Sequence, residues 1–204
     1  MTTKSRLTAV LAMAAVSGMG LATPSIAEAT TPPAAAAVTG APFCGFYWGS
    51  LPKTSDAPLS NALLTSVRTG RHACYDRIVI DVQGPVGGYE VNYVEGIPAP
   101  GNPNGLYARG GANLVVFINN RIVPRPAGQP YGTIAVQNSD EVTDVTGYRT
   151  FRQVREMLYG PNGPDGLVGD MFALGVRARL PFRVSPLPGP GTASRLVIDV
   201  AHQW

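Results

Sequence analysis

The stretch Arg77-Ile-Val-Ile-Asp-Val82 recurs near the carboxyl end of the chain as Arg195-Leu-Val-Ile-Asp-Val200. In a strand, successive side chains point to opposite faces, so each copy places three apolar residues on one face and its arginine and aspartate on the other. Strands favour Val and Ile in general, so chance similarity is the alternative explanation. Six positions with one Ile/Leu exchange favour a real relation. We expect two matching, half-buried strands in a β domain.

The charges within the two copies suggest how they meet. If the strands pair antiparallel, Arg77 faces Asp199 and Asp81 faces Arg195. Opposed charges help to set strand register and contribute about 0.2–1 kcal/mol per pair. Exposed Arg/Asp pairs are usual on a solvated sheet face, so we favour a structural role. Binding of anionic ligand groups by these arginines is the alternative.

Short apolar stretches separated by turn residues predict an all-β fold. The 204 residues include 24 Gly and 19 Pro, which leave little room for long helices. We predict a small β-sandwich or open barrel of short strands with long Gly/Pro loops. Residues 151–158 fit helical spacing as well, and the pattern leaves helix and strand open. The predicted strands are 63–69, 75–83, 89–94, 113–119, 133–137, 171–176, 181–184 and 195–200; residues 51–60, Gly70, 84–88, 98–105 and 186–191 are predicted to be loops or turns.

The amino terminus has the pattern of a secretory signal peptide. Lys4 and Arg6 precede a mostly apolar stretch, Leu7–Leu21, and small residues fit cleavage after Ala27 or Ala29. A retained membrane anchor is the alternative, although the stretch is short for a helix of about 20 residues that spans a bilayer. We therefore expect a secreted protein of the cell envelope or extracellular space. Its predicted parts are a signal peptide (1–27), an Ala/Pro/Thr-rich linker (28–42), an aromatic amino-terminal extension (43–62) and a β domain (63–204).

The charge balance argues against a nucleic-acid partner. Removal of the leader takes away two of the 16 basic residues and leaves 14 against 13 acidic residues, a net charge of +1. Nucleic-acid binding requires a clustered excess of positive charge. No later segment is long and apolar enough to span a membrane, so no stable span is predicted after signal cleavage.

The exported chain has two cysteines, Cys44 and Cys74. In an oxidising compartment an even pair is most simply a disulfide, and two free thiols are the alternative. The bond would close a loop of about thirty residues and stabilise the fold by roughly 3–4 kcal/mol in the chain-entropy model. It would also clamp the aromatic segment Phe43–Trp48 onto the domain.

The sequence lacks recognisable catalytic motifs. It has no Gly-X-Ser-X-Gly, no His-Glu-X-X-His and no phosphate-binding Gly loop, although a pair of carboxylates distant in the chain stays compatible with it. On a strand, His72, Cys74 and Asp76 would present three zinc ligands from one face. A disulfide at Cys74 and the lack of a fourth ligand disfavour that site. We predict a protein that is not an enzyme and has no metal or cofactor.

Five segments of the folded part are informative when they are taken together: Val67–Val82, Tyr89–Val94, Phe172–Val176, Pro181–Val184 and Ser194–Val200. They resemble the AMIN-like domain of secreted actinobacterial proteins, which is similar to the AMIN domain of cell-wall amidases. The resemblance covers about residues 60–201. It implies a small β-sandwich, a location outside the cytoplasmic membrane and non-catalytic attachment to the cell wall, and it implies no catalytic or ligand residues.

These observations predict a secreted binding module for peptidoglycan or another wall glycan. Guanidinium groups suit carboxylates, and tyrosine rings suit the faces of sugars. The alternative is a protein-interaction or structural factor that binds another envelope protein. The candidate ligand residues are Arg71, Tyr75, Arg77 and Arg195; a wider set of aromatic residues, for which core packing is the alternative, is Phe46, Tyr47, Trp48, Tyr75, Tyr89 and Tyr93.

Overall fold

The computed structural model describes residues 42–99, 102–121, 123, 135–159 and 169–204. These residues form twelve β-strands and no helix. The predicted signal peptide and the linker up to residue 41 lie outside them. The all-β prediction is confirmed. The strands are β1 (Lys53–Ser55), β2 (Ser60–Arg71), β3 (Tyr75–Val82), β4 (Tyr89–Val94), β5 (Ile97–Ala99), β6 (Asn102–Leu106), β7 (Ala112–Ile118), β8 (Asn120–Arg121), β9 (Phe151–Tyr159), β10 (Gly169–Val176), β11 (Phe182–Pro188) and β12 (Ser194–Ala201).

The strands form two five-stranded sheets and one small hairpin. The first sheet has the order β1-β4-β7-β10-β9, the second has the order β11-β12-β3-β2-β8, and β5 pairs with β6. One of the larger sheets curls into a half-barrel. Within the larger sheets neighbouring strands are antiparallel, except for β2 and β8. The arrangement agrees with the predicted sandwich or open barrel.

The hydrophobic core lies between the two large sheets. The second sheet contributes the apolar face of both repeats, including Ile78, Ile80 and Ile198, which are fully buried. Leu114 and Phe172 of the first sheet pack in the same core, also without solvent exposure. Full burial of a large apolar side chain stabilises a fold by about 1.5–3 kcal/mol. The alternating pattern of the repeated hexapeptide therefore supplies one wall of the core.

The two repeats are neighbours in the second sheet, as expected. Strands β3 and β12 pair antiparallel, with Arg77 opposite Asp199 and Asp81 opposite Arg195. The predicted register is confirmed. It places three apolar residues of each copy on the inner face and the charged residues, together with Val79 and Val197, on the outer face.

A buried asparagine holds the corner where the chain leaves the first sheet after β7 and enters the second sheet at β8. The Asn120 amide donates to the carbonyls of Ala62 (3.1 Å) and Pro85 (3.2 Å), and its oxygen accepts from the Gly87 amide (2.8 Å). A Cβ at Gly87 would lie 2.1 Å from the Asn119 carbonyl oxygen, so this close approach requires glycine.

Two expectations near the amino-terminal end of the domain are wrong. The predicted loop 51–60 contains β1, which adds to the edge of the first sheet by pairing with β4. Gly70 is no turn; it lies within β2 opposite Arg77, and the chain turns after Arg71. In both places the residues have only a weak intrinsic preference for strands. Pairing with a neighbouring strand places them in a sheet all the same.

Proline-rich segments were also assigned wrongly. The predicted loop 98–105 falls largely in the β5–β6 hairpin, and residues 186–188 of the predicted loop 186–191 extend β11. Strand β11 is an edge strand, where the missing N–H of proline faces away from the ladder.

Residues 135–137 form a turn instead of the predicted strand, and 133–134 lie outside the described residues. The ambiguous stretch 151–158 is strand β9.

Two carboxyl groups, Asp170 and Glu156, face each other inside the domain. Glu156 of β9 lies opposite Phe172 of β10. Asp170 is two residues from Phe172 on the same strand, so Asp170 and Glu156 are diagonal neighbours on the same face of the sheet. Asp170 Oδ1 accepts from the Met171 amide (2.9 Å), whereas Oδ2 is buried and has no donor among the described residues. Burial, and after it the Glu156 carboxylate, raises the pKa of Asp170 well above its usual range. Burial and the neighbouring carboxyl group therefore favour the protonated form of Asp170 in the folded domain.

This pair makes the stability of the domain depend on pH. The folded-state pKa of Asp170 is raised, so the folded state binds more protons than the unfolded state. Stability is therefore lost as the pH rises from the unfolded pKa of about 3.9 through the folded pKa. Asp170→Asn keeps a neutral donor beside Glu156. We expect it to raise the free energy of unfolding by about 1–3 kcal/mol at about pH 8 and to change it little at about pH 4.

Urea unfolding at the two pH values measures this effect. Asp56→Asn is the control, because Asp56 is an exposed carboxylate. An equal loss of stability in Asp170→Asn at both pH values would contradict the raised pKa of Asp170.

Candidate functional site: an arginine and aromatic surface

The outer face of the second sheet carries a row of three charges across β11, β12 and β3. Arg183 lies opposite Asp199, and Asp199 lies opposite Arg77. Arg77 donates to both oxygens of Asp199 (2.6 and 2.9 Å), and Arg183 donates to one of them (2.7 Å). The Asp199 side chain is only 3% exposed. One carboxylate thus holds two guanidinium groups, and the row keeps a net charge of +1.

A second charged row crosses the same face four residues away along β3 and β12. Arg68 donates to both oxygens of Asp81 (2.8 and 3.2 Å), and the Ser66 hydroxyl donates to one of them (2.8 Å). Partial burial pushes the pKa of Asp81 upward, but these hydrogen bonds outweigh burial and the pKa is lowered. Arg195, opposite Asp81, lowers the pKa further through its charge alone.

Aromatic side chains surround the first row. The Arg183 guanidinium lies 3.6 Å from the ring centre of Phe46, 5.1 Å from that of Trp48 and 5.2 Å from that of Tyr75. Such cation–π contacts contribute roughly 0.5–2 kcal/mol each, depending on exposure. Together with the adjacent Tyr47, these residues form what we call the aromatic–arginine surface, which consists of Phe46, Tyr47, Trp48, Tyr75, Arg77 and Arg183.

A disulfide between Cys44 and Cys74 fixes the amino-terminal segment of this surface, as predicted from the sequence. The Cα atoms of the two cysteines are 6.3 Å apart. Cys44 has a φ of 52°, a left-handed conformation that is rare outside glycine, and the turn continues through Gly45 at 79°. The Trp48 indole N–H donates to the Phe43 carbonyl at 2.8 Å, which closes the turn. The aromatic segment is therefore held at its start and within its turn.

The four ligand residues predicted from the sequence do not form one group. Tyr75 and Arg77 lie together, with an Arg77 N–H donated to the Tyr75 hydroxyl (3.3 Å). Arg195 lies in the second charged row. Arg71 lies opposite the buried Asp76 at the end of β2, and its guanidinium lies 5.8 Å from the ring centre of Tyr148. It therefore belongs to a different part of the domain.

The wider aromatic set also divides. Phe46, Tyr47 and Trp48 are in the surface, whereas Tyr89 and Tyr93 belong to β4 of the first sheet and pack against the core. The Tyr93 hydroxyl donates to the Leu180 carbonyl (2.7 Å), and burial raises the pKa of Tyr93 to about 12. For these two tyrosines the alternative interpretation, packing in the core, is therefore the correct one.

The three residues weighed as zinc ligands have other contacts. Cys74 is in the disulfide, His72 stacks on Tyr75 with ring centres 4.5 Å apart, and Asp76 accepts from the Thr150 amide (2.5 Å). The other oxygen of Asp76 lies 3.1 Å from His202 Nε2. Within the ranges that the structure describes, no three His, Cys, Asp or Glu side chains are placed to hold a metal ion.

Sequence reasoning missed Arg183, the arginine at the centre of the surface. It lies in the predicted strand 181–184, but nothing in the sequence paired that strand with the terminal one. With β11 placed beside β12, the Phe182-to-Val200 register brings Arg183 opposite Asp199. The missing information was strand order.

A family model for the AMIN-like domain matches residues 62–202, from β2 to just past β12. The chain belongs to the AMIN-like domain family. This membership suggests a cell-wall-related module and, with the disulfide, is consistent with a protein outside the cytoplasm. No curated protein matches the chain. The described residues contain no helix of the length and apolarity needed to cross a membrane.

The disulfide gives the first test of the surface. The AMIN-like match begins after Cys44, so reduction should release the aromatic segment from the domain. We expect reduction to lower the free energy of unfolding by about 3–4 kcal/mol and to expose Trp48. Tryptophan fluorescence reports this exposure directly.

A Trp204→Phe background isolates Trp48, because Trp204 is the second tryptophan and is already exposed. Cys44→Ser/Cys74→Ser without reductant should reproduce the shift. A Trp48 emission that is identical before and after reduction would mean that the turn holds without the disulfide.

Proposed function

We propose that this AMIN-like protein is a non-catalytic module that binds a cell-wall glycan, with peptidoglycan as its ligand, through the aromatic–arginine surface. The observation that carries the proposal is the side-by-side placement of aromatic rings and guanidinium groups, with Arg183 3.6 Å from the ring centre of Phe46. Sugar rings have apolar C–H faces that stack on aromatic rings. Their hydroxyl and carboxylate oxygens accept hydrogen bonds from arginine.

Tyr47 is the ring that is best placed to meet a ligand. Its side chain is 68% exposed, whereas Trp48 and Tyr75 are half-buried. Trp48 and Tyr75 contact each other, with ring centres 5.8 Å apart, so the segment that carries Tyr47 packs against β3 through Trp48. A rigid aromatic platform of this kind loses little conformational entropy when it binds.

The contacts of Asp199, the carboxylate between Arg77 and Arg183, favour a role of this surface in binding over a role in proton transfer. Asp199 is buried, and both of its oxygens accept from guanidinium groups. A general acid or base needs a carboxyl group within hydrogen-bonding distance of the substrate. Asp199 instead holds Arg77 and Arg183 in place for a ligand.

Retention on purified cell-wall sacculi tests the proposal. Tyr47→Ala removes one exposed ring from the surface, so we expect the affinity for sacculi to fall about two- to tenfold, as expected for the loss of about 0.5–1.5 kcal/mol. The protein's thermal stability should change little, because Tyr47 is exposed.

Tyr107→Ala is the matched control, because Tyr107 is 59% exposed and lies outside the aromatic–arginine surface. Equal losses in the two variants, or no retention of the wild-type protein at low salt, would rule out glycan binding by this surface.

A protein partner is the second candidate, favoured by two large apolar side chains that are exposed to solvent. Leu51 is 74% exposed and Trp204 is 73% exposed. The Trp204 indole donates to the Arg179 carbonyl (3.2 Å), and Arg179 donates to the carbonyl of Ser50 (3.4 Å), the neighbour of Leu51. Arg179 thus links the chain segments that carry these two exposed apolar side chains. Large exposed apolar groups mark protein interfaces when they form a contiguous patch.

Muramidase digestion separates the two candidates. If a protein is the partner, envelope fractions digested with muramidase should still bind the wild-type chain, and Leu51→Ser should bind several-fold more weakly. Tyr47→Ala should then bind as the wild type does. Complete loss of binding after digestion would exclude the protein partner.

A further inference from the structure

A shallow cavity of about 340 Å³ opens on the second charged row, at the end of the sheet face away from the aromatic segment. It lies where β3 ends and β12 begins, and the β11–β12 hairpin forms its rim. Arg195 and Asp81 line it together with Gln83, Thr65 and Ser194. The first charged row lies four residues away along β12, at Asp199.

The hydroxyl groups in this cavity already donate their protons elsewhere. The Ser194 hydroxyl donates to the Gly84 carbonyl, and the Thr65 hydroxyl donates to the Asp81 carbonyl (3.1 Å). Arg195 and the exposed Gln83 make no side-chain hydrogen bond to another described residue. The side-chain hydrogen-bond donors that the described lining offers to a ligand are therefore one guanidinium and one amide.

The charge of Arg195 is not neutralised by its neighbour. Both oxygens of Asp81 accept from Arg68, and one also accepts from Ser66. Arg195 makes no ion pair within 4 Å to a described carboxylate, although its charge lowers the pKa of Asp81. Arg68 thus balances Asp81, and Arg195 supplies the surplus positive charge of the row.

We propose that this cavity is an anion subsite that takes a carboxylate or phosphate group carried by a sugar. The planar guanidinium of Arg195 matches either oxyanion with two parallel hydrogen bonds, and the Gln83 amide adds a third donor. The proposal deepens the proposed function and rests on it for the polymer that carries the anion. Four residues along a strand span about 13 Å, so an extended polymer can contact this subsite and the aromatic–arginine surface together.

Three hexoses that differ at one carbon test the subsite. Glucuronate carries a carboxylate, glucose 6-phosphate a phosphate, and glucose neither. Each is titrated in the millimolar range into the oxidised, ¹⁵N-labelled protein at low ionic strength. We expect one or both acids to shift the Nε–H resonance of Arg195 and the amides of Ser194 and Gln83, and glucose to leave them unchanged. The acid that shifts them identifies the source of the anion.

Variants show whether Arg195 is responsible. Arg195→Gln should abolish the shifts at Ser194 and Gln83, whereas Arg121→Gln, at an exposed arginine of β8, should leave them intact. Asp81→Asn should strengthen binding several-fold, because it removes the one negative charge beside the subsite.

The subsite would be disproved by equal shifts with glucose and the acids, by no shift with either acid, or by unchanged acid binding in Arg195→Gln. The same variants on sacculi separate this result from the proposed function. Wall retention that persists without any acid binding removes the subsite alone. Acid binding without wall retention removes the proposed function and leaves an oxyanion site.

Discussion

The pairing of β3 with β12 governs both sides of the second sheet. Because strand side chains alternate, the register that puts Ile78 opposite Ile198 in the core also puts Arg77 opposite Asp199 on the outer face. A slip of one residue would exchange the two faces and bury charges against the apolar wall of the first sheet. The hydrophobic core and the charged rows are therefore consequences of one alignment, which the opposed charges help to select.

The outer face is charged, but it is not simply solvated. Asp199 is almost fully buried, and burial of a charge is costly unless it is paired and hydrogen-bonded. Two guanidinium groups meet that need from the flanking strands, and the rings of Phe46 and Trp48 cover Arg183 in turn. These rings come from a segment that precedes the AMIN-like match. The candidate site is thus composite, with charges from the family domain and an aromatic cover added by the preceding segment.

The sequence predicted the features that depend on a local residue pattern or on a single pair of residues. It did not predict the features that depend on the order of the strands in the sheets. The repeat predicted the β3–β12 register, and two cysteines predicted their own bond. Strands β1 and β11 were missed or shortened because their polar and proline residues suit edge positions that only the assembled sheet defines. Arg183 was missed for the same reason. The Asp170–Glu156 pair could not be predicted from the sequence, because it depends on the diagonal contact between β9 and β10.

The two roles weighed for the arginines, sheet stability and ligand binding, are compatible with each other in this structure. Each charged row contains two arginines and one aspartate, so one arginine suffices to balance the carboxylate. Arg77, with two hydrogen bonds to Asp199, has the structural role in the first row, as Arg68 has beside Asp81. Arg183 and Arg195 then carry the surplus charge, one beneath aromatic rings and one at an open cavity. In a sheet built in this way, ion pairs help to set the strand register and one arginine of each row still leaves positive charge at the surface.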